Sequence, residues 1–383
     1  MRAQLERDFE RFGPELPRDF AVYVREAYRI DLAGRYLGES IPHPIGKGSG
    51  QLSLKPEQLE ADAEAGLAFV VLKTLIAEDE SGAQAMAAWA IHETKMTVEA
   101  FTSASGRPGW TVTWKGRGWD RSLAEYLDLV RVGREFTRAG RMLVVPSVKY
   151  HLPMGNEAFR ESEYSWTTQK LAAAWGDGPL LLEKDFSPTL AGDRLADEPE
   201  RILRWVAEIP DRIRWAAPHG LRIGLKLMNA RFDDEFQLRM LKTAASSGAD
   251  TAVVFNRLFS PERKVAYGGW DLSERNLRVL EAARASGAAK GVALSGTGNI
   301  CSGRVLLDYA KLGCESVQLH TFFQLPLTEY AGTSGSRTSR ALHMLVFHPR
   351  EGLIAGMLDM EERAELHRHD GELRFLDLSG SER

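Results

Sequence analysis

The sequence is poor in cysteine and has no long apolar run. Only two cysteines, Cys301 and Cys314, occur in 383 residues, and they form no CxxC pair. A disulfide scaffold is therefore not expected, and an iron–sulfur cluster, which usually needs four ligands, would have to come from a partner. No apolar run approaches the ~20 residues of a membrane-spanning helix, and the start MRAQLERDFERFG is too charged for a signal peptide core. These absences predict a cytoplasmic protein without membrane insertion, in which both cysteines pack as small buried residues.

A basic block is also missing. The chain has 49 Lys and Arg against 53 Asp and Glu, for a net charge of −4. The phosphate backbone of a nucleic acid therefore has no obvious landing surface, and nucleic-acid binding is not expected. With 44% hydrophobic residues the chain can bury a large core, and its length fits one barrel domain with insertions.

Eight short apolar runs, each with a polar or glycine-rich end, predict buried strands. They are Pro44–Gly50, Ala68–Lys73, Met142–Val148, Leu180–Asp185, Arg222–Leu227, Thr251–Phe255, Val292–Leu294 and Val317–Leu319. Helical patterns lie between them, at Pro56–Ala65, Ser122–Arg138, Asn156–Trp175, Pro199–Trp215, Asp233–Ser247, Ser273–Ser286 and Gly303–Leu312, and a final helix is predicted at Arg337–Phe347. This alternation predicts an α/β fold, a TIM (β/α)8 barrel with parallel strands.

Three segments depart from the simple barrel pattern. The barrel is predicted over residues 41–347, with an N-terminal extension, 1–40, and a charged C-terminal tail, 348–383. The extension is expected to cover the lower mouth; a membrane-apposed helix is the alternative, but charges interrupt its apolar face. A long insertion after strand 2, residues 76–120, is expected to form a lid or substrate wall at the C-terminal mouth, with a decorative hairpin as the alternative.

The strand ends carry unusual polar residues. Small residues at Ser295–Asn299 predict backbone N–H groups round an anion at the start of the following helix, and His320 ends the next strand. Lys73 and Lys226 end apolar strands that carry no acid, which favours an anionic ligand. Lys184 is equally well explained by pairing with the acids beside it.

Six motifs carry a family resemblance, and their order and spacing are more specific than any one of them. They are LKT (72–74), GLKL (224–227), FNR (255–257), YGGWDLS (267–273), SGTGNI (295–300) and QLHTFF (318–323). They resemble the successive strand-end motifs of the dihydroorotate dehydrogenase superfamily. The resemblance implies a homodimeric oxidoreductase that binds FMN at its C-terminal mouth and acts on a carbon–carbon bond next to a carbonyl.

The resemblance also implies a set of site residues. The residues expected to bind the cofactor are Ser49, Gly50, Lys73, Thr74, Lys226, Gly269, Gly296, Thr297, Gly298, His320 and Thr321. Substrate binding falls on Asn229 and Asn256, and the catalytic residues are Ser187, Lys226 and Asn256, with no metal. Ser187 would transfer the proton opposite the flavin; the alternative is that it caps the turn before Pro188.

Two stretches depart from the family pattern. Lys184 and Thr189 stand where the family has asparagines, and residues 114–120 replace an asparagine-rich substrate motif. The substrate is therefore expected to differ from dihydroorotate and to be anionic, with Lys115 and Arg117 available to bind it. Two alternatives stay open: a catalytically degenerate flavin-binding barrel that acts as a binding or structural subunit, and a phosphate-sugar enzyme on the same barrel.

Overall fold

Strands and helices alternate along the central part of the chain. The computed structural model describes residues 1–90, 96–114, 118–186, 198–217, 219–260, 265–269 and 272–380. The strands are β1 (Ile30–Asp31), β2 (Gly34–Tyr36), β3 (Glu39–Ile41), β4 (Ile45–Lys47), β5 (Phe69–Val71), β6 (Leu75–Ile76), β7 (Met96–Thr102), β8 (Pro108–Trp114), β9 (Leu143–Val145), β10 (Ser147–Lys149), β11 (Leu180–Asp185), β12 (Leu221–Met228), β13 (Thr251–Asn256), β14 (Leu258–Ser260), β15 (Val265–Gly269), β16 (Ala293–Thr297), β17 (Cys314–Leu319) and β18 (Leu373–Arg374). The α-helices are α1 (Arg2–Phe12), α2 (Phe20–Tyr28), α3 (Pro56–Glu64), α4 (Leu123–Arg138), α5 (Glu161–Trp175), α6 (Pro199–Trp215), α7 (Asp234–Ser246), α8 (Leu272–Ser286), α9 (Gly303–Lys311), α10 (Arg337–Phe347), α11 (Leu353–Glu362) and α12 (Leu376–Ser379).

The main sheet is parallel and curled. Its ten strands run in the order β6-β10-β11-β12-β13-β16-β17-β4-β5-β9. Glu183 on β11 accepts a 2.6 Å hydrogen bond from Gln318 on β17, although three strands lie between them in the sheet. Only strong curvature brings these two side chains together across the concave face. The α/β class and the parallel arrangement predicted from the sequence are confirmed.

Helix starts follow the capping residues in the sequence. Ser122 and Glu125 form a capping box at α4, in which each side chain accepts the other residue's backbone N–H. Asp233 caps α7 by accepting the N–H of Phe236. Helix α6 begins at Pro199, whose missing N–H has no effect in a first turn, and its bounds match the prediction.

Helix α5 begins later than predicted. The sequence predicts a start at Asn156, but the helix begins at Glu161. Residues before it are held by His151, whose Nδ1 accepts the N–H of Arg160, and by Glu157, which accepts the N–H of Met154. These local bonds satisfy backbone groups in a non-helical conformation.

One predicted strand is interrupted, and a second is followed by a separate short strand. In the predicted strand Met142–Val148, Pro146 separates β9 from β10, because proline has no N–H to donate to a neighbouring strand. The predicted strand Ala68–Lys73 contains β5, and β6 lies beyond its predicted end. Between β5 and β6 the N–H of Lys73 donates to Ser53 O, in the loop before α3, and not to a sheet neighbour.

The insertion after β6 forms a hairpin that joins a second sheet. Strands β7 and β8 pair antiparallel, and β8 also pairs with β15 in the order β14-β15-β8-β7. Trp119, which follows the hairpin, donates its N–H to Thr74 O at the end of the main sheet. The hairpin therefore belongs to a four-stranded sheet beside the ends of the parallel strands, and is not an isolated decoration.

The two terminal regions pack together. Strand β1 pairs in parallel with β18, with Ile30 opposite Leu373, and Phe9 of α1 stacks on His343 of α10 with ring centroids 4.5 Å apart. In the β2–β3 hairpin, Tyr36 stacks on Phe69, the first residue of β5. The β2–β3 hairpin thus lies at the edge of the main sheet where the parallel strands begin.

No described helix has both the length and the apolar composition needed to cross a bilayer.

Candidate functional site

A cavity lies where β13, β16 and β17 end. Its volume is about 50 Å³, well below the ~300–1,000 Å³ typical of small-molecule sites. Its described lining comes from the four-stranded sheet, which includes the β7–β8 hairpin, and from the ends of three parallel strands with the residues that follow them. These residues are Trp110, Val112, Asn256, Arg257, Gly268, Gly269, Leu272, Thr297, Gly298, Asn299, Ile300, Cys301, Gln318, Leu319, His320, Thr321 and Phe322. The ends of parallel strands are where α/β proteins bind ligands.

A tight turn after β16 forms one wall of this cavity. Gly298 has φ +103° and Asn299 has φ +46°, so two successive residues take positive φ values. A Cβ on Gly298 would lie 2.6 Å from Asn276 Nδ2 and 3.3 Å from Phe255 O. Glycine is therefore required at position 298 for both its conformation and its close approach. The turn presents main chain to the cavity, as an anion site needs.

Two buried asparagines hold this turn and the neighbouring strand end. Asn276 on α8 donates from Nδ2 to Thr297 O at 2.7 Å and to Phe255 O at 3.0 Å. Asn229, after β12, donates to Asn276 Oδ1 and to the carbonyl of Asn256. Asn229 Oδ1 is buried and accepts no hydrogen bond from the described residues. Asn229 was predicted as a substrate ligand, whereas Asn276 was missed.

His320 forms the opposite wall and is surrounded by cations. Burial holds the pKa of His320 well below its usual range, and the positive charges of Arg257, Lys73, Lys226 and Lys47 lower that pKa further. The imidazole is therefore neutral at neutral pH. Of these four cations, only Arg257 is among the described lining residues of the cavity, and Lys47 and Lys226 are each paired with a buried carboxylate.

The loop after β4 packs closely on the strand-end side chains. A Cβ on Gly50 would lie 1.9 Å from His320 Nε2, so His320 occupies the position that a side chain at residue 50 would take. A Cβ on Gly48 would make ordinary contacts, 3.4 Å from Gln318 Oε1 and 3.5 Å from Lys226 Nζ. The close approach of this loop to His320 therefore requires glycine at position 50.

Two of the first backbone N–H groups of α9, where the sequence predicts an anion, already have partners within the protein. Ser302 caps this helix by accepting the N–H of Val305, and the N–H of Arg304 donates to Glu351 O. A Cβ on Gly303 would lie 2.1 Å from Leu353 N, so α11 covers this helix end. The turn at residues 297–301, before the helix, is what faces the cavity.

Gly296 is not among the described lining residues of the cavity. A Cβ on Gly296 would lie 2.6 Å from the ring of Tyr309 on α9. The small size of Gly296 therefore allows β16 to pack closely against α9. The phosphate contact predicted for Gly296 is better assigned to Thr297, Gly298, His320 and Thr321, which line the cavity.

Lys226 lies in a buried polar network on the concave face of the sheet. Its Nζ lies 3.3 Å from Glu183 Oε1 and 3.2 Å from Gln318 Oε1. Strand β12 itself carries no acid, as predicted, but the neighbouring strand β11 supplies a carboxylate that pairs with Lys226. The ion pair orients the ammonium, and it removes the need for a ligand to explain a buried lysine.

A second buried network links the first strand ends. Lys149 Nζ lies 3.0 Å from Asp185 Oδ2, and Thr74 Oγ1 lies 3.4 Å from the same oxygen. Thr74 also lies within hydrogen-bond distance of Ser147 and Ser49, at 3.1 Å and 2.6 Å. Burial lowers the pKa of Lys149, while the charge of Asp185 opposes that shift. Ser49 and Thr74 are predicted site residues, but Asp185, the partner of Thr74 and Lys149, was not predicted.

Lys184 lies under the aromatic rings of Phe186 and Tyr150 and donates to Asp185 O. The pKa of Lys184 is lowered to about 7, chiefly by burial and also by the charge of Lys149, while the charge of Asp185 opposes the shift. Glu183 and Asp185 are the two acids expected to pair with Lys184. No described hydrogen bond joins the Lys184 ammonium to Glu183, because that carboxylate faces Lys226.

Lys184 should make the stability of the protein depend on pH. Between pH 7 and about 10 the unfolded chain binds a proton at this lysine that the folded protein has lost, so the free energy of unfolding should rise with pH by up to ~1.4 kcal/mol per unit. Urea unfolding from pH 7 to 9.5 should show this slope in the wild type but not in Lys184→Met. Exposed Lys290→Met is the control and should keep the slope; a pH-independent difference between wild type and Lys184→Met would contradict the assignment.

The predicted site residues fall into three groups. The cavity lining includes Asn256, Gly269, Thr297, Gly298, His320 and Thr321. Lys226, Asn229, Ser49, Thr74, Lys73 and Gly50 are buried or half-buried around it. Ser187, Lys115 and Arg117 lie outside the described residues, so their roles stay predictions.

Comparison with known proteins gives no match: no family model and no curated protein is similar to this chain. The relationship to the dihydroorotate dehydrogenase superfamily therefore stays a prediction from the six motifs.

Proposed function

We propose that this protein is an FMN-dependent oxidoreductase of the dihydroorotate dehydrogenase type, built on a closed eight-stranded barrel. The observation that carries the proposal is the cavity at the strand ends that the positive-φ turn, His320, Thr321 and Arg257 line together. A cytoplasmic homodimer, as the resemblance implies, belongs to the same proposal.

The sheet order supports the closed barrel. If β5 and β6 are one interrupted strand, and β9 and β10 another, the ten short strands reduce to eight. The two ends of the sheet order, β6 and β9, then belong to neighbouring strands, because β5 pairs with β9 and β6 pairs with β10. This is the strand arrangement of a (β/α)8 barrel.

The residues present fit FMN. The turn at Gly298 and the pair His320 and Thr321 would hold the phosphate, as the resemblance implies. Arg257 lines the same cavity and would add a cation for the phosphate. No GxGxxG turn with a following acid at dinucleotide spacing occurs in the sequence, which disfavours FAD.

The chain's own residues would act electrostatically on the bound cofactor. When bound, FMN would supply hydride transfer at its N5 atom to or from a carbon next to a carbonyl. Lys226 places a buried ammonium where it would stabilise negative charge on the reduced ring. Trp110 and Val112 of the hairpin wall the cavity and would exclude water from it. Asn256 lines the same cavity and would contact the substrate.

The proposal predicts that the protein binds FMN much more tightly than riboflavin. Riboflavin lacks the phosphate and would therefore lose two charged hydrogen bonds, each of which contributes ~1.5–3 kcal/mol. The Kd for riboflavin should then exceed the Kd for FMN by about 100-fold or more. Titration calorimetry with both flavins measures this ratio, and mass measurement identifies any flavin that copurifies. Equal affinities would place the phosphate elsewhere, and a failure to bind either flavin would overturn the proposal.

A catalytically degenerate barrel is the second candidate, and one observation favours it. Lys226 is paired with Glu183 and Lys149 with Asp185, so both ammonium groups are balanced inside the protein. A structural or binding subunit would need no bound anion to balance these charges. Anaerobic mixing of the reduced, FMN-loaded protein with a panel of anionic α,β-unsaturated carbonyl compounds distinguishes the two candidates, because only the enzyme would reoxidise the flavin.

A further inference from the structure

A buried relay connects Lys226 with the N-terminal extension. Tyr36 on β2 donates its hydroxyl to Glu183 Oε2 at 2.8 Å, and Gln318 Nε2 donates to that same oxygen at 2.6 Å. The other carboxylate oxygen, Glu183 Oε1, faces Lys226 Nζ at 3.3 Å. Tyr36, Glu183 and Gln318 are each no more than 1% exposed. One carboxylate therefore lies between a phenol from the extension and an ammonium at the strand ends.

The charge on Glu183 acts against the charge on Lys226. A carboxylate at 3.3 Å in a buried environment offsets much of the potential that the ammonium exerts on any nearby anion. Hydrogen bonds donated to the carboxylate draw its negative charge away from the ammonium. Tyr36 and Gln318 both donate to the oxygen that faces away from Lys226, so they weaken this offset.

We infer that Glu183 is a positioning residue that sets how strongly Lys226 stabilises negative charge on the bound cofactor, and that Tyr36 adjusts Glu183. The N-terminal extension would thereby tune the reduction potential of a site at the opposite end of the strands. The inference rests on the proposed function, because FMN is the group on which Lys226 would act.

Two substitutions should shift the FMN reduction potential in opposite directions. Glu183→Gln removes the opposing charge but keeps the shape, so reduced FMN should bind at least tenfold more tightly relative to oxidised FMN. For a two-electron couple this corresponds to an upward shift of about 30 mV. Tyr36→Phe removes a donor to the carboxylate, so the carboxylate should offset the charge of Lys226 more strongly. The ratio of the affinity for reduced FMN to the affinity for oxidised FMN should then fall by about threefold.

Asp8→Asn is the matched control. Asp8 on α1 is 5% exposed and accepts hydrogen bonds from the hydroxyls of Tyr23 and Tyr28, so the variant also neutralises a buried carboxylate that tyrosine holds. These partners lie outside the network of Lys226. The ratio of the two FMN affinities should stay within twofold of the wild-type value.

Dye-equilibrated redox titration of the three variants and the wild type decides the inference. Opposite shifts for Glu183→Gln and Tyr36→Phe support it. Shifts of the same sign, or potentials unchanged in both variants despite normal FMN binding, overturn it and leave the proposed function standing. If Glu183→Gln does not fold, a Tyr36→Phe potential equal to or above that of the wild type overturns it. A wild-type protein that binds no FMN overturns the proposed function and this inference together.

Discussion

Replacing Lys226 with methionine should weaken FMN binding by about 100-fold and lower the potential of any FMN that remains bound. Lys226 lies in the buried polar network on the concave face of the sheet, with its Nζ 3.2 Å from Gln318 Oε1. An apolar side chain of similar length cannot offset the negative charge of the reduced ring, and ~3 kcal/mol of lost charge stabilisation corresponds to about two orders of magnitude. Flavin fluorescence titration and a redox titration measure the two effects.

The substitution also disturbs stability, so the design needs two controls. Lys226→Met leaves the Glu183 carboxylate buried without its ammonium, and breaking such a pair costs ~3–5 kcal/mol of unfolding free energy. The double variant Lys226→Met with Glu183→Gln removes both charges and should recover most of that stability while FMN binding stays weak. Lys290→Met, at an exposed position, should change neither property. Recovery of FMN binding in the double variant would show that Lys226 acts only through folding.

The strand framework could be predicted because each strand is a short apolar run with a polar end. Leu180–Asp185 has the predicted bounds, and α10 matches the predicted helix. Such signals are local: apolar periodicity, capping residues and the turn after Thr297 all lie within a few neighbouring positions. The cavity lies where those strand ends converge, so Gly298 and His320 could be found from the sequence as well.

The partners of the site residues could not be predicted, because they come from distant parts of the chain. Glu183 meets Lys226 only through the pairing of β11 with β12 and the curvature of the sheet. Tyr36 reaches Glu183 from the N-terminal extension, and its segment has no signal beyond a short apolar pattern. A parallel sheet brings residues from neighbouring strands together, so a lysine must be checked against the acids of the adjacent strands as well as its own.

Asn276 shows a second limit of the sequence analysis. Helix α8 is predicted, but an asparagine in a helix reads as a surface residue unless the fold is known. Here it is fully buried, and its Nδ2 supports the carbonyls of Phe255 and Thr297 at two strand ends. Its function is to hold the turn that walls the cavity, which only the tertiary structure reveals.

Gly298→Ala should destabilise the protein and abolish most FMN binding, whereas Gly291→Ala should affect stability alone. The two glycines flank β16 and have nearly equal φ values, +103° and +100°, so the conformational strain of an alanine, of order 1–3 kcal/mol, is similar at both. Their surroundings differ. A Cβ at position 298 would lie 2.6 Å from Asn276 Nδ2, but at position 291 the nearest atom is Ala245 O at 3.8 Å.

The comparison of these two variants isolates the effect of the turn on the site. In Gly298→Ala the Asn276 side chain must move, and the turn that it holds through Thr297 O must move with it. We expect a further loss of ~1–3 kcal/mol in unfolding free energy relative to Gly291→Ala, from the broken buried hydrogen bonds, and a loss of FMN affinity of more than tenfold. Urea unfolding gives the first quantity and titration calorimetry the second. Equal FMN affinity in the two variants, after both are shown to be folded, would mean that the phosphate does not bind at this turn.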